Sequence, residues 1–206
     1  MHSKKLYLRM VVLTLVILAV LPAYLWAYKL TGASAAPTIL LGDKLIVNRA
    51  AYTLMLPYSH VQILRFRFPK RGDLVQIDVP GKEFMGFKRV IGLPGETIEM
   101  RENHILINGR GIPVQPTTQA EFDIVPPVHH MGSVVWNEDG HLIAFTPGQS
   151  KYGNYGPITL TNNQYFLLGD NRDNSLDCRE WGPVSGDHIN GKIIAIFHTG
   201  PRLPVK

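Results

Sequence analysis

The sequence predicts a mainly β protein, in which one N-terminal transmembrane helix precedes an antiparallel β domain with a small extension. An uncharged apolar run covers residues 10–27, close to the start of the 206-residue chain. After about residue 40 the sequence changes to short β-type runs broken by Gly and Pro, and no long segment has the 3.6-residue period of an amphipathic helix. The chain is long enough for one folded domain in addition to the helix.

The apolar run from Met10 to Ala27 is predicted to cross a membrane. As a helix it would span about 27 Å, close to the roughly 30 Å of a hydrocarbon core. An aromatic belt is expected at its far end (Tyr24, Trp26 and Tyr28). Because basic residues precede the run, the positive-inside rule places the N-terminus in the cytoplasm. Residues 1–29 are therefore predicted as cytoplasmic N-terminus and anchor, and residues 30–206 as an extracytoplasmic domain.

A cleavable signal peptide is the alternative interpretation of the same segment. A basic start, an apolar run and then Ala33-Ser34-Ala35 also fit a leader with an A-x-A cleavage site. Two observations favour the anchor. The run is longer than the roughly 7–15 residues of a signal-peptide core, and cleavage would destroy a motif that begins at Ser34.

The remainder of the chain has the pattern of an all-β or mainly β domain. Its β-type runs cover residues 39–47, 61–68, 73–79, 84–91, 134–136, 141–145, 165–168 and 192–198. A hairpin is predicted over residues 97–108, turning near Glu102-Asn103. The stretch of about 112–160 is rich in Pro, Gly and His and is predicted to be a loose extension or a small subdomain.

Charge excludes one class of partner. Of the 21 basic residues, three precede the apolar run, which leaves eighteen against 16 acidic residues. So small an excess does not describe a phosphate-binding surface, so no nucleic acid is expected as a partner. A denser basic patch is interpreted as an amphipathic strand or, if the domain sits on a membrane, as a contact with anionic lipid headgroups. The patch comprises Arg65, Arg67, Lys70 and Arg71, with Phe66 and Phe68 between them.

Cysteine and histidine usage points to neither a disulfide nor a metal site. Cys178 is the only cysteine, so an internal disulfide is impossible. The adjacent His129 and His130 would point to opposite faces of a strand, which argues against a metal site there. No metal and no cofactor are predicted.

Ser34 is a candidate nucleophile. The stretch Gly32-x-Ser34-x-Ala36 comes near the G-x-S-x-G elbow of α/β-hydrolases, but that elbow joins a strand to a helix, and the chain lacks the α/β alternation. Pro37 follows three residues after Ser34 and indicates a rigid, non-helical backbone. The base that activates this serine must then come from elsewhere in the sequence.

Lys88 is the candidate base. It lies in a predicted strand between Phe87 and Val90-Ile91, which are apolar. Lysine has a pKa of about 10.4 in water and must be neutral to act as a base. Burial can lower a lysine pKa by about 3–5 units. A lysine that reaches along the strand to solvent is the alternative.

A third segment, from Gly169 to Gly182, is dense in short polar side chains and glycine, which is typical of a tightly hydrogen-bonded loop. Its charged residues are expected to pair with one another, namely Asp170, Asp173 and Asp177 with Arg172 and Arg179. A self-bonded surface loop is the purely structural interpretation.

Taken together, these segments resemble the bacterial type I signal peptidases (leader peptidases), a family of serine proteases with a Ser/Lys dyad. That family shows S-x-x-P-T-L, R-G-D, K-R-x-x-G-x-P-G-D and G-D-N-R-D-N-S-x-D-S-R in this order. The matching stretches here are Ser34 to Ile39, Arg71 to Asp73, Lys88 to Glu96 and Gly169 to Arg179. The resemblance runs from the anchor to Lys192, and the segment of about 112–160 contributes little to it.

The resemblance implies a role for each matching residue. Ser34 would be the nucleophile, Lys88 the general base, and the Ser34 N–H a donor to the oxyanion. The Ser175 hydroxyl would orient the Lys88 amine. Asp177, Arg89 and Arg179 would brace the site. Leu30 and Phe87 would line the pocket that selects small residues at positions −1 and −3 of the substrate.

The chain departs from the family pattern at several positions. Ala35 stands where methionine is usual, and Gly32 stands where some members carry a serine that completes the oxyanion hole. Ile39 and Glu96 are conservative changes, and Cys178 replaces a serine. These departures affect the expected substrate range and turnover rather than the reaction class.

The resemblance implies a single-pass serine endopeptidase of the bacterial inner (plasma) membrane, with its catalytic domain on the periplasmic side. It would remove signal peptides from exported preproteins, so its partners would be those signal peptides and the lipid bilayer. One alternative is a specialised relative that processes one client, such as a pilin or a conjugation subunit. Another is a catalytically silent protein that holds signal peptides.

Overall fold

The computed structural model describes residues 2–59, 61–117, 134–146 and 152–199. A long helix, α1 (His2–Tyr24), opens the chain, and a short helix, α2 (Cys178–Trp181), lies near its end. Between and after them, the described residues form β strands that pair antiparallel with one another. The prediction of a mainly β protein with an N-terminal apolar helix is therefore confirmed.

The strands, numbered in chain order, form four sheets. The largest has the order β1 (Leu25–Lys29), β2 (Lys44–Asn48), β16 (Ile189–Phe197), β5 (Leu74–Asp78), β6 (Met85–Gly92), β14 (Gln164–Leu168) and β15 (Val184–Ser185). A second has the order β13 (Tyr155–Thr159), β7 (Thr97–Arg101), β8 (His104–Ile107) and β9 (Arg110–Gly111). The third pairs β10 (Val114–Pro116), β11 (Val134–Glu138) and β12 (His141–Phe145), and the fourth is a hairpin of β3 (Thr53–Met55) and β4 (Gln62–Arg65).

The hairpin predicted over residues 97–108 is present as β7 and β8. Arg101 pairs with His104, and the two residues between them have positive φ angles, 50° for Glu102 and 68° for Asn103. A two-residue turn of this kind matches the twist of the flanking strands, and asparagine tolerates the left-handed conformation. The turn therefore lies where the sequence predicted it.

The apolar N-terminal segment changes from helix to strand earlier than the apolar run suggested. Helix α1 ends at Tyr24, and Leu25–Lys29 form strand β1, in which Ala27 pairs with Ile46 of β2. The backbone groups of these residues are thus satisfied by a neighbouring strand instead of a further helical turn. The stretch Lys4–Tyr24 is long and apolar enough to cross a membrane, at about 31 Å. The domain boundary after residue 29 and the direction of crossing stay predictions.

The stretch of about 112–160 contains regular structure. Strands β10, β11 and β12 form the three-stranded sheet, whereas β13 pairs with β7 in the four-stranded one. His129 and His130 lie outside the described residues.

Two buried apolar clusters support the fold. The larger lies between the seven-stranded and four-stranded sheets and includes Val75, Ile98 and Phe166. The smaller packs the segment after β1 onto β2 and β16, through Leu30, Ile39, Leu45, Val47 and Ile193. Because Ile39 and Leu30 are buried on either side of it, the turn that carries Ser34 is held against the large sheet.

Candidate active site

The serine and lysine selected from the sequence meet in the folded chain. The Nζ of Lys88 donates to the Oγ of Ser34 at 2.9 Å, although the two residues are 54 positions apart. The Lys88 side chain is buried, with 4% of the residue exposed, and Ser34 is half-buried. A hydroxyl and an amine in this geometry can exchange a proton directly.

Ser34 is positioned by a turn and by the loop that follows β14. The turn closes through two backbone bonds, Ala36 N to Ala33 O and Ile39 N to Ala35 O. The backbone N–H of Asn171 donates to the Ser34 carbonyl at 3.1 Å, and the Asn171 amide donates to the Ala33 carbonyl at 3.2 Å. The Ser34 N–H itself makes no hydrogen bond within the part of the chain that the structure describes.

Lys88 is positioned by the centre of the large sheet. Its strand, β6, lies between β5 and β14, and Lys88 pairs with Val75 of β5. Strand β14 leads directly into Gly169, which lies against the Ser34 turn. A Cβ at residue 169 would come within 2.5 Å of the Ser34 carbonyl oxygen, so only glycine allows this close approach.

The electrostatic environment shifts the Lys88 amine towards its neutral form. Burial lowers its pKa to about 8, although the carboxylates of Asp177 and Asp170 act in the opposite direction. The nearby Arg179 guanidinium adds to the lowering. At pH values near 8 a substantial fraction of this lysine is therefore unprotonated.

Arg89, the next residue of β6, is buried but has a carboxylate partner. Its guanidinium donates to both carboxylate oxygens of Asp170, at 2.8 and 2.6 Å, and to the carbonyl of Gly72 at 2.9 Å. The Thr38 hydroxyl also donates to Asp170. Because Thr38 lies in the Ser34 turn, this network joins the turn to β6 and to the loop after β14.

Asp177 and Arg179 form a second buried pair at the start of α2. The Arg179 guanidinium donates to both Asp177 oxygens at 2.8 Å, and the N–H groups of Arg179 and Gly169 donate to the same carboxylate. Burial raises the pKa of Asp177, but these donors outweigh it and hold the pKa below its usual value. The carboxylate therefore stays charged and fixes Gly169, whose backbone contacts the Ser34 turn.

Only one of the charge pairs expected within the polar loop forms there. Asp177 pairs with Arg179, but Asp170 pairs with Arg89, and Arg172 forms a fully buried pair with Glu138 of β11. Asp173 accepts a hydrogen bond from the Thr146 N–H instead of an arginine. The partners come from distant strands, so the expectation of a self-paired loop was largely wrong.

Ser175 is close to the dyad but does not bond to the lysine. Its side chain is buried and lies against Gly169. Its hydroxyl donates to the Leu176 carbonyl at 3.4 Å, and the structure records no hydrogen bond from it to Lys88. A role in orienting the amine would require a rotation of this hydroxyl, and stays a prediction.

A cleft of about 710 Å³ opens beside Ser34 and Lys88. Its lining includes both residues expected to contact substrate, Leu30 and Phe87. The Phe87 ring packs edge-on against Tyr28, with 5.7 Å between ring centroids. Tyr28 also lines the cleft and was not singled out for this from the sequence. Beside the nucleophile, a Cβ at Gly32 would meet no atom within 4 Å, so the backbone there is open.

Cys178 begins helix α2 and is buried in the larger apolar cluster. The Cys178 thiol is fully buried, accepts from the Leu167 N–H at 3.1 Å, and burial raises its pKa to about 12, so it is inert as a nucleophile. Among the residues the structure describes, no cluster of three His, Cys, Asp or Glu side chains could hold a metal ion.

Comparisons with known proteins place the chain in a family. A family model described as signal peptidase, peptidase S26, matches residues 3–198. Signal peptidase I of Aquifex aeolicus is 31% identical, over 93% of this chain and 84% of that protein. Signal peptidase I V of Bacillus subtilis is 33% identical, over 81% of this chain and 82% of that protein.

Two further comparisons are less complete. Signal peptidase I of Pseudomonas aeruginosa is 29% identical over 84% of this chain, which spans 65% of that relative's length. A solved signal peptidase I from Enterococcus faecalis is 26% identical and superimposes with a TM-score of 0.39, over 63% of this chain and 99% of that one. With the family model matching nearly the whole length, the chain belongs to the signal peptidase family, peptidase S26.

Proposed function

We propose that this chain is a membrane-anchored serine endopeptidase that removes signal peptides from exported preproteins, with Ser34 as nucleophile and Lys88 as general base. The observation that carries the proposal is the 2.9 Å contact between the Lys88 amine and the Ser34 hydroxyl, at a lysine whose pKa is lowered to about 8. Family membership supports the substrate class.

The proposed reaction has two steps. The Ser34 Oγ attacks the scissile carbonyl while the neutral Lys88 amine accepts the hydroxyl proton. The Ser34 N–H, which has no partner among the described residues, donates to the developing oxyanion. Lys88 then protonates the leaving amine, and a water molecule deprotonated by the same lysine hydrolyses the acyl-enzyme.

The cleft supports a preference for small side chains at positions −1 and −3. Leu30 and Phe87 are apolar, and the packing of Tyr28 on Phe87 restricts the movement of that wall. Bulky side chains at these substrate positions would require the wall to move. Arg89, Asp177 and Arg179 do not line the cleft, so their proposed role is to position the Ser34 turn and the loop after β14.

The anchor is proposed to hold the nucleophile near the outer membrane surface. Helix α1 is long enough to cross a bilayer, and Ser34 follows its last residue, Tyr24, by only ten positions. The basic residues before α1 place the N-terminus in the cytoplasm under the positive-inside rule. The cleavage site of a membrane-inserted signal peptide would then emerge at the height of the cleft.

The test is cleavage of a preprotein with alanine at −1 and −3 by the full chain in detergent. Ser34→Ala is expected to abolish cleavage while leaving thermal unfolding unchanged, and Ser59→Ala, whose serine lies outside the cleft, is the matched control. The rate for the unaltered chain should fall about tenfold per pH unit below about pH 8, because protonated lysine cannot act as a base. Full activity of Ser34→Ala would disprove the dyad.

A further inference from the structure

A second cavity, of about 320 Å³, lies next to the cleft that contains Ser34 and Lys88. Tyr28 and Met85 line both spaces, so the cavity and the cleft share one wall. Neither Ser34 nor Lys88 lines the second cavity, which therefore lies outside the reacting centre. Its lining includes Trp26, Tyr28, Gln76, Asp78, Met85 and Asn190.

Gln76 of β5 brings an unsatisfied polar group to the second cavity. Only 2% of the residue is exposed. Its Nε2 donates to the Tyr28 hydroxyl at 3.1 Å and contacts the Met85 sulfur, but its Oε1 has no hydrogen-bond partner among the described residues. If the amide turned over, its nitrogen would lack a partner instead. A buried amide that is only half satisfied costs free energy, which a ligand with a matching polar group recovers.

The Gln76 carboxamide is covered by a side chain that can move. Met85 is 47% exposed and unbranched, so it can turn aside and open Gln76 to the cavity. Two more polar side chains line the space nearby. Asp78 is exposed and lies two residues further along β5, on the same face as Gln76, and Asn190 of β16 is half-buried. The cavity therefore combines an aromatic wall with hydrogen-bonding groups.

The charges around the second cavity balance one another. Arg49 also lines it, with its guanidinium 5.1 Å from the centroid of the Trp26 ring. Because Arg49 is positive and Asp78 negative, a charged side chain gains little from the net charge of the lining. An uncharged side chain that both donates and accepts hydrogen bonds, such as a carboxamide, suits this lining best.

The position of the cavity along β1 indicates which substrate residue it meets. Trp26, Tyr28 and Leu30 are spaced two apart, so their side chains share one face, and the ring centroids of Trp26 and Tyr28 are 6.0 Å apart. The direction from Leu30 to Trp26 leads away from Ser34, which attacks the −1 carbonyl in the proposed reaction. Alternate residues of an extended substrate also face one side, about 6.7 Å apart. With −1 and −3 in the cleft, position −5 therefore comes beside Trp26, at the second cavity.

We propose that the second cavity is a subsite for the signal-peptide residue at position −5, and that it prefers an uncharged carboxamide side chain, which hydrogen-bonds to Gln76. The inference rests on the proposed function, because it presumes that a signal peptide occupies the cleft. The subsite adds a polar contact to the apolar selection at −1 and −3. A signal peptide with asparagine at −5 would thus be held more firmly than one with an aliphatic residue there.

The test compares three preproteins that share alanine at −1 and −3, each cleaved by the full chain in detergent. The first has leucine at −4 and −5, the second asparagine at −5, and the third asparagine at −4. Asparagine and leucine have nearly the same shape, so the comparison isolates the amide. Asparagine at −5 is expected to raise kcat/KM about three- to tenfold, the value of one hydrogen bond. The gain should appear in KM, because the contact is the same in the ground state and the transition state. Asparagine at −4, which faces the other way, should give no gain.

A variant connects the preference to Gln76. Gln76→Met removes the amide but keeps a side chain of similar length, and it should cleave the preproteins with asparagine and leucine at −5 equally well. Gln115→Met is the matched control, because this glutamine is exposed and belongs to β10. It should keep the preference for asparagine.

The outcomes separate the subsite from the proposed function. Equal kcat/KM for asparagine and leucine at −5 would overturn the subsite and leave the peptidase activity intact, and a water molecule would then satisfy Gln76. An equal gain from asparagine at −4 would overturn the predicted register, and a preference that survives Gln76→Met would overturn the role of Gln76. Failure to cleave all three preproteins would instead contradict the proposed function. The comparison of −4 with −5 uses the unaltered chain, so it decides the question even if Gln76→Met does not fold.

Discussion

Lys88 and Arg89 are neighbours on β6 and are buried to a similar degree, yet their surroundings differ in one respect. Arg89 has a carboxylate within hydrogen-bond distance, whereas the Lys88 amine has the Ser34 hydroxyl. The side chains of consecutive strand residues point to opposite faces of the sheet. One face of β6 therefore carries a matched ion pair, and the other carries an amine whose positive charge no neighbour neutralises directly.

The difference shows how one strand can carry both a structural ion pair and a candidate base. On the Arg89 side, charge is retained because Asp170 compensates for the loss of water. On the Lys88 side, burial lowers the pKa to about 8 because the nearest carboxylates are too few and too indirect to compensate. The proposed base is thus a lysine without a bonded carboxylate, whereas the next residue, Arg89, has one.

The largest expected effect follows from exchanging the two cations. Lys88→Arg should lower kcat by at least about a thousandfold, because a guanidinium stays protonated at any accessible pH. Arg89→Lys keeps a positive charge beside Asp170 and should retain kcat within about tenfold. Both variants are assayed on the same preprotein in detergent. Comparable losses of kcat in the two variants would mean that activity is sensitive to any change in β6. The two faces of the strand would then not differ in function.

Breaking the buried Arg89–Asp170 ion pair should lower the free energy of unfolding more than breaking an exposed ion pair does. Asp170→Asn leaves the Arg89 charge buried without a carboxylate, which costs about 3–5 kcal/mol in the free energy of unfolding. Asp187→Asn, which removes an exposed partner of Arg65, is the matched control and should cost less than about 1 kcal/mol. Urea unfolding of the detergent-solubilised chain measures both. A similar loss in the free energy of unfolding for the two variants would contradict the expected difference between the buried and the exposed ion pair.

On the other face, removing the charge should stabilise the protein. The unfolded chain binds a proton at Lys88 with a pKa near 10.4, and the folded chain with a pKa of about 8. Between those values the unfolded state binds more protons, so stability rises with pH, and below about pH 8 the full penalty remains. Lys88→Met should therefore raise the free energy of unfolding at pH 7 by on the order of 3 kcal/mol.

At high pH, Lys88→Met is expected to be no more stable than the unaltered chain. The difference between Lys88→Met and the unaltered chain should disappear as the pH approaches 10.5, which urea unfolding at pH 7 and pH 10.5 would reveal. Arg89→Met is the control and should lower stability at both pH values. If Lys88→Met were less stable than the unaltered chain at pH 7, the Lys88 amine would stabilise the fold, which contradicts the expectation.

The smallest effect is expected at Gly32. A side chain fits there because a Cβ would meet no atom within 4 Å, and the residue lines the cleft beside Ser34. Gly32→Ser adds a hydroxyl as a second oxyanion donor beside the Ser34 N–H and should raise kcat several-fold, below the roughly 10²–10³ that a preorganised oxyanion donor is worth. Gly32→Ala adds the Cβ without the hydroxyl and should give no gain. Equal rates for the two variants would show that the hydroxyl does not reach the oxyanion.

The sequence predicted the elements of the fold better than their ends. The β7–β8 turn was predicted correctly because the two residues at its tip determine a local geometry. The helix end was misplaced because apolar residues suit both a membrane span and a strand. The choice at Leu25 depends on its partner in β2, Asn48, which lies 23 residues later. Hydrogen bonds to a distant strand cannot be predicted from the local sequence of the residues that form them.

In the candidate site, too, features set by local sequence were predicted and contacts with distant residues were not. Ser34, Lys88 and the polar loop were identifiable because each occurs in a compact motif. The partners of the loop's charges were not, since Asp170 bonds to a residue 81 positions away and Arg172 to one 34 positions away. Charge pairing within a segment is the simplest expectation, but the tertiary fold provided other partners for Asp170, Arg172 and Asp173. Glu138 was missed because it belongs to no recognisable pattern. Asn171 lies in the matched Gly169–Arg179 segment, but nothing in the sequence indicated that it would bond to the Ser34 turn.

The buried pair between Arg172 and Glu138 has a consequence for how this fold can vary. It attaches the three-stranded sheet to the loop after β14 through two fully enclosed charges, neither of which could remain alone at low cost. A chimaera that replaced β10 to β12 with the corresponding region of a relative would have to transfer or remove both residues together.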